Sequence, residues 1–113
     1  MPYIQITIGQ ELSAPRKEKL KNQLGRLIPI IPGKTEPDLM VSIQDGLSLY
    51  MGGTEAPSVY IDLRVYTKTD PEAKKRFARE LFEFITREFG IPAARQYLTI
   101  GEYEHWGYDG EFH

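Results

Sequence analysis

Four short stretches of the chain alternate apolar and polar residues, and this repeated pattern constrains the fold more than any other feature. Alternation with a period of two is typical of a strand that buries one face and exposes the other. The stretches lie at residues 1–8, 39–44, 59–66 and 97–103. Apolar residues recur at helical spacing between the first and second stretches, and again between the third and fourth. The sequence therefore predicts a β-α-β unit that occurs twice.

Both predicted helices have clear start and stop signals. The first begins after the capping residue Ser13 and ends before Pro29, and the second begins after the cap Asp70 and ends at Gly90. Residues 45–58 contain several glycines, so we expect a loop there, with a short helical turn inside it.

The doubled unit predicts how the helices and strands are layered. A parallel pair of strands joined by a helix crosses over in the right-handed sense, so both helices can lie on one face of the same sheet. We therefore expect an α+β fold in a single domain, residues 1–113, with a four-stranded mixed sheet and two helices on one face. The other face would be polar and aromatic and, with the free sheet edges, predicts a homo-oligomer whose sheets face inward. Its residues are Tyr3, Gln5, Thr7, Met40, Ser42, Tyr60, Asp62, Arg64, Tyr66, Tyr97, Thr99 and Tyr103.

Composition and charge narrow the classes of function. The net charge of −2 lacks the basic excess of a nucleic-acid-binding protein. There is no cysteine, so disulfides, thiolate nucleophiles and cysteine-based metal sites are excluded. No apolar run reaches the roughly 18 residues of a membrane helix, and the N-terminus does not resemble a secretion signal. We expect a soluble cytoplasmic protein without a membrane or nucleic-acid partner.

Pro2 is the most unusual candidate for chemistry. If Met1 is removed after synthesis, Pro2 becomes a secondary amine held at the end of a strand. A free α-amine titrates at about 7.7–8.0, and an apolar pocket would lower its pKa and leave a neutral base near pH 7. If Met1 stays, the nitrogen is an amide and cannot act as a base. The alternative is that Pro2 merely leads the strand, where a missing donor costs nothing.

Several motifs in register resemble the macrophage migration inhibitory factor family, above all its microbial phenylpyruvate tautomerase-like members. They are Pro2, the Gly33-Lys34 turn, the segment at residues 50–53 and the tail at residues 104–110. The resemblance runs the whole length of the chain. It implies a homotrimer whose sheets surround a central channel, with active sites between neighbouring subunits. It also implies keto–enol tautomerisation of small α-keto acids such as phenylpyruvate, without a metal or organic cofactor.

The same resemblance suggests roles for four further residues. Lys34 would hold the substrate carboxylate, and the backbone N–H of Tyr66 would donate to an anion. Tyr97 would enter the pocket from the neighbouring subunit. Thr99 stands where some members have an asparagine that contacts a ring hydroxyl, which weakens the expectation for hydroxyphenylpyruvate more than for phenylpyruvate. The alternatives are an exposed turn lysine, a plain strand residue and interface packing.

The tail supplies the remaining candidates. Trp106, Tyr108 and Phe112 would form an apolar wall that keeps water from the reacting carbon, although simple packing of a C-terminal segment explains them as well. Tyr108 replaces a tryptophan that is frequent in microbial members. His105 has no second clustered ligand, so we expect a structural or solvent-facing histidine and no metal site.

Three functions remain open from the sequence. The first is a one-base tautomerase that uses Pro2. The second is a trimeric interaction protein that resembles the cytokine-like members and keeps the pocket as a relic. The third is a sister activity, such as isomerisation of an unsaturated dicarboxylate or dehalogenation, which would need arginines near the proline; the nearest in sequence are Arg16 and Arg64.

Overall fold

The computed structural model describes residues 1–113 and contains both predicted helices and all four predicted strands, followed by a short hairpin. In chain order the elements are β1 (Pro2–Ile8), α1 (Ala14–Leu27), β2 (Met40–Gln44), β3 (Val59–Tyr66), α2 (Pro71–Phe89), β4 (Gln96–Tyr103), β5 (Gly107–Tyr108) and β6 (Glu111–Phe112).

The first strand lies inside the sheet, where it is paired on both sides. The strand order is β2-β1-β3-β4. β1 runs parallel to β2 and antiparallel to β3, and β3 runs parallel to β4. The predicted four-stranded mixed sheet is therefore confirmed. The antiparallel β1–β3 pair sets Pro2 directly opposite Val65, near the C-terminal end of β3.

One face of the sheet is covered by both helices, as predicted. The alternation in β1 and β3 sends every second side chain into a core shared with the helices. On the open face the alternate residues are half-buried or exposed, including the large side chains of Met40, Tyr60, Tyr97 and Tyr103. The fully buried core side chains include Ile4, Ile6, Ile8, Leu20, Leu24, Ile61, Leu63, Phe77, Leu81 and Ile85.

The helix ends follow the predicted signals. The Ser13 hydroxyl accepts a hydrogen bond from the Arg16 N–H (3.4 Å), and the Asp70 carboxylate accepts one from the Ala73 N–H (3.1 Å). Gly90 ends α2 with a φ of +70°, a backbone conformation that glycine adopts without steric cost. Neither helix is both long and apolar enough to cross a membrane.

The short helical turn expected within residues 45–58 is wrong. Met51 and Thr54 instead pair through an isolated β-bridge, with Gly52 and Gly53 between them at φ values of +59° and +78°. A right-handed helical turn needs negative φ, so two successive glycines in the left-handed region exclude it. Arg95 then secures the loop by donating hydrogen bonds of 2.9–3.3 Å to the carbonyls of Met51, Thr54, Ala56 and Pro57.

The tail folds back on itself as a hairpin that the sequence analysis did not predict. Asp109 and Gly110 connect β5 to β6 with φ values of +52° and +79°. Two residues with positive φ are typical of a type I′ turn, for which Asp-Gly is a preferred sequence. Backbone hydrogen bonds between Trp106 and His113 (3.1 and 2.9 Å) close the other end of the hairpin.

Replacing Phe77 by alanine should destabilise the fold more than most single substitutions. Its side chain is completely buried among the core residues on α2. Phe→Ala changes at such positions lower the free energy of unfolding by about 3–5 kcal/mol, because they remove apolar contacts and leave a cavity. Urea denaturation would measure the loss. Glu83→Ala, at an exposed position of the same helix, is the matched control and should stay within about 0.5 kcal/mol of the parent.

Candidate functional site

The N-terminus is fixed at the end of the central strand β1. Pro2 is buried, and Met1 in front of it is half-buried. The Tyr66 N–H donates a hydrogen bond of 3.3 Å to the Met1 carbonyl oxygen, which continues the β1–β3 pairing by one residue. The first two residues therefore lie beside the backbone of Tyr66, one of the residues predicted for the site.

Lys34 reaches the same place from the segment after α1. Gly33, with a φ of +79°, forms the turn before it, and the Lys34 N–H donates to the Ile31 carbonyl (3.1 Å). The Lys34 Nζ then donates a hydrogen bond of 3.1 Å to the carbonyl oxygen of Tyr66. Its ammonium group is thus anchored on the residue whose N–H binds Met1. The structure brings together Pro2, Lys34 and Tyr66, which are far apart in sequence.

This environment acts on the terminal amine. The pKa of the Met1 amino group is lowered from its ordinary value, mainly because burial disfavours the charged form. The positive charge of Lys34 lowers the pKa further, while Asp38 opposes the shift. Asp38 is near because β2 runs parallel to β1 with Met40 opposite Tyr3. The Met1 amine is therefore neutral over a wider pH range than a free amine in water.

A cavity of about 420 Å³ opens beside the N-terminus. Ligand pockets usually measure about 300–1,000 Å³, so its size suits a small organic molecule. Its remaining wall is the tail hairpin. The lining residues are Met1, Tyr66, Tyr108, Asp109, Glu111 and His113.

Three of these lining residues were missed by the sequence analysis: Asp109, Glu111 and His113. Nothing in their residue types indicated a site, since each reads as a surface residue of a polar tail. The available signal was the Asp109-Gly110 pair, which predicts a tight hairpin turn and so a tail that returns on itself. That signal still leaves open which part of the molecule the hairpin faces.

The largest cavity in the chain lies elsewhere and is not the candidate site. It measures about 670 Å³ and runs between α1 and the outer edge of β2. Charged and polar side chains from α1, such as Lys17 and Lys21, form much of its wall. None of the residues predicted for the site lines it. We therefore place the candidate site at the smaller cavity, which Met1 and the predicted residues Tyr66 and Tyr108 line. Pro2 and Lys34 do not line it themselves; Pro2 is bonded to Met1, and Lys34 is hydrogen-bonded to Tyr66.

Tyr97 and Thr99 do not reach this cavity within one protomer. They lie on the open face of β4, where Tyr97 stands opposite Tyr60. Tyr60 is five positions along β3 from Val65, the partner of Pro2, which corresponds to about 16 Å. The Thr99 hydroxyl forms a hydrogen bond of 2.6 Å with the Tyr60 hydroxyl. A role for Tyr97 beside Pro2 therefore requires a second copy of the chain.

The three tail aromatics separate in the structure. Tyr108 lines the cavity beside Met1, whereas Trp106 and Phe112 line a different cavity of about 500 Å³ on the open face of the sheet. The Trp106 ring packs edge-on against Tyr103 at a centroid distance of 6.2 Å. His105 is exposed and stacks on Phe112 at 5.7 Å. Of the three tail aromatics, only Tyr108 lines the candidate site in a single protomer.

Neither arginine that the sequence analysis considered for a dicarboxylate substrate lines the cavity. Arg64 lies on the open face and forms an ion pair of 3.0 Å with Asp62. Arg16 donates to the Glu88 carbonyl (2.9 Å) and lies over the Phe89 ring at 4.6 Å. The cations of the site within one protomer are thus the terminal amine and Lys34.

This arrangement provides the parts for proton transfer next to a carbonyl. It has one partly desolvated amine position, one ammonium group and one backbone N–H, all within the same small region. An amine of lowered pKa accepts a proton near neutrality, and the two donors suit the carboxylate and oxygen of an anionic substrate.

Comparison with known proteins gives a consistent result. The family model for macrophage migration inhibitory factor (MIF) matches residues 1–110. A macrophage migration inhibitory factor homolog of Trichuris trichiura is 31% identical over 75 residues, a match that spans 66% of each chain. D-dopachrome decarboxylase-B of Xenopus laevis is 24% identical over 110 residues, covering 94% of this chain and 90% of that protein. The crystal structure of Leishmania major MIF2 has a TM-score of 0.91 at 26% identity, covering 100% of this chain and 97% of the other.

The family model thus covers nearly the entire chain, and the structural match extends over the doubled β-α-β order and the tail hairpin. The chain therefore belongs to the macrophage migration inhibitory factor family and, with it, to the tautomerase superfamily.

Proposed function

We propose that the protein, after removal of Met1, is a keto–enol tautomerase that acts on small α-keto acids such as phenylpyruvate. Pro2 is the general base, Lys34 binds the substrate carboxylate, and the Tyr66 N–H donates to a substrate oxygen. The observation that carries this proposal is the position of Met1, which is bonded to Pro2 and lies beside both Tyr66 and Lys34. Its carbonyl accepts the Tyr66 N–H, and its amine lies close enough to Lys34 for their charges to interact.

The proposed reaction moves one proton between carbon and oxygen. The Pro2 nitrogen accepts a proton from C3 of phenylpyruvate, so the C3–H bond breaks and the electron pair moves to the carbonyl oxygen. The proton then passes from nitrogen to that oxygen and gives the enol; the reverse sequence restores the keto acid. Lys34 and the Tyr66 N–H stabilise the negative oxygens as charge develops.

Removal of Met1 has two consequences in this scheme. It converts the Pro2 amide into a free amine, and it releases the Tyr66 N–H from the Met1 carbonyl. A buried or half-buried N–H without a partner is costly, so a substrate oxygen that replaces the carbonyl gains a hydrogen bond. One processing step would therefore create both the base and the anion donor.

We further propose that the active assembly is a homotrimer with the open sheet faces around a central channel. The open face carries Met40 and Tyr97 with 68% and 61% of their surface exposed, an unfavourable state for large apolar side chains in water. A neighbouring subunit would cover them and bring Tyr97 and Thr99 to the cavity. Trp106 and Phe112 would complete the apolar wall in that assembly. Sedimentation equilibrium of the purified protein tests the number of subunits.

A substrate panel tests the function directly. Intact mass first establishes that Met1 is absent, and ultraviolet absorbance of the enol then follows phenylpyruvate and hydroxyphenylpyruvate. D-dopachrome belongs in the panel because one relative is named for it, and an unsaturated dicarboxylate represents the sister activities. Turnover of phenylpyruvate is the expected result. A processed trimer that turns over none of these compounds would contradict the proposal and favour the cytokine-like interaction protein.

The pH dependence should reflect a base of lowered pKa. The nitrogen is active when neutral, so kcat/KM for phenylpyruvate should fall about tenfold per pH unit below its pKa and level off above it. Burial and Lys34, which lower the pKa of the Met1 amine, act on the same end of β1, so the midpoint should lie below about 8. Asp38 acts in the opposite direction on the pKa of the amine, and Asp109, Glu111 and His113 line the same cavity. These four residues are the same in the parent and in the variant Lys34→Gln, so a difference between the two pH profiles does not come from them.

The variant Lys34→Gln separates the effect of the Lys34 charge on the pKa of the base from the effect of burial. Because it removes a positive charge beside the amine, it should move the midpoint to higher pH. A midpoint at or above 8 in the parent, or one that does not respond to the substitution, would contradict the assigned environment of the base.

A further inference from the structure

Charges around the cavity beside the N-terminus are divided between its two walls. Met1, which carries the terminal amine, and Tyr66 form the inner wall, and the ammonium group of Lys34 lies behind this wall on the Tyr66 carbonyl oxygen. On the outer wall the tail hairpin carries two carboxylates, Asp109 in its turn and Glu111 at the start of β6. Both side chains are exposed, line the cavity and have no ion-pair partner in the protomer.

We propose, as a refinement that rests on the proposed tautomerase function, that Asp109 and Glu111 make the site selective for keto acids with a single carboxylate. A substrate that enters this cavity with its carboxylate at Lys34, on the Tyr66 side, would direct its far end towards the hairpin that forms the rest of the wall. An uncharged ring then lies against Tyr108, whereas a second carboxylate lies against two like charges.

The physical basis is the repulsion between a second substrate carboxylate and the carboxylates of Asp109 and Glu111, which no lysine or arginine lining the cavity offsets. Specificity is a difference between two affinities, and an unfavourable charge against the competitor is as effective as a better contact to the preferred ligand. Arg64 is paired with Asp62 on the open face, and Arg16 contacts Glu88 and Phe89. Within the protomer, therefore, no arginine lines this cavity that could pair with a second carboxylate of the substrate.

The matched substrates for the test are phenylpyruvate and 4-carboxyphenylpyruvate, which differ only in the carboxylate at the far end of the ring. Because both hairpin acids are exposed, each should contribute roughly a three- to tenfold preference at low salt, and the preference should shrink as salt is raised. The wild-type ratio of kcat/KM should therefore favour phenylpyruvate by at least about tenfold. All measurements use one pH, so that His113 carries the same charge throughout.

The double variant Asp109→Asn, Glu111→Gln should bring this ratio close to one. Asparagine tolerates positive φ as well as aspartate does, so the turn at position 109 is retained. Glu111→Lys should favour 4-carboxyphenylpyruvate relative to wild type. The control Glu18→Gln, Glu83→Gln removes the same number of charges from exposed helix positions away from this cavity and should leave the ratio unchanged.

The outcomes distinguish this inference from the proposed function. An unchanged ratio in the hairpin variant, or an equal change in the control, overturns the selectivity. If no keto acid is turned over, the tautomerase proposal fails, and calorimetric affinities of the same two compounds then test the charge selectivity alone. Equal affinities, or binding of neither compound, would overturn it.

Discussion

A chain whose Pro2 nitrogen is blocked is expected to lose at least about 100-fold of its phenylpyruvate turnover, the usual effect of removing an acid–base group. An alanine inserted between Met1 and Pro2 produces this state, because the processed chain then begins with alanine and Pro2 lies in a peptide bond. The added carbonyl also takes the position that Met1 has at the Tyr66 N–H, 3.3 Å away. Initial rates of enol formation measure the loss.

The control for this experiment is Pro2→Ala, which keeps a free amine at the same end of β1. It should lose less activity than the blocked chain, since a primary amine still accepts a proton. Thermal unfolding and sedimentation of both variants should stay close to the parent, because Pro2, although buried, is not one of the residues of the hydrophobic core, which begins at Ile4. Equal rates for the blocked and parent chains would refute Pro2 as the base.

The second large effect is expected for Lys34→Gln. Hydrogen bonds to charged groups contribute about 1.5–3 kcal/mol, so kcat/KM for phenylpyruvate should fall roughly 10- to 150-fold. Lys34 binds a carboxylate that is present in both the ground state and the transition state, so most of the loss should appear in KM. Steady-state kinetics should be measured at a pH where kcat/KM no longer changes with pH. The loss in KM is then separate from the change that the substitution causes in the pKa of the base.

Lys75→Gln is the matched control for the charge. The Lys75 side chain is 72% exposed on α2 and pairs only with Glu72. Its replacement should leave kcat and KM within about twofold of the parent, because exposed ion pairs contribute little. If both lysine variants behaved alike, Lys34 would have no special role in binding the substrate.

The helices and the central strands were predictable because their signals are local. Ser13 and Asp70 are caps for the residues that follow them directly, and the alternation of Ile4, Ile6 and Ile8 depends only on the pleat of one strand. The burial of Ile4, Ile6 and Ile8 in the structure confirms that they lie on the helix-covered face of the sheet. The helical turn expected in the loop at residues 45–58 was wrong, since local composition did not reveal that Gly52 and Gly53 adopt positive φ.

The candidate site was predictable only in part. Its chemistry follows from the residue types of Pro2 and Lys34 and from the family resemblance. Its other wall depends on where the hairpin of residues 107–112 folds back, and this depends on contacts across the molecule rather than on the turn itself. For the same reason the separation of Tyr108 from Trp106 and Phe112 could not be read from their spacing.

The sequence by itself determined the doubled β-α-β order, the single sheet face that both helices cover and the position of Pro2 directly after Met1, because each depends on neighbours along the chain. Tertiary structure alone decided that the Met1 carbonyl accepts a hydrogen bond from the Tyr66 N–H and that Lys34 lies near the Met1 amine. It also decided that the carboxylates of Asp109 and Glu111 line the same cavity as Met1. These residues are up to about a hundred positions apart in sequence, and strand pairing and the hairpin turn bring them together. Local patterns carry no information about such distances, since only the packed sheet sets them.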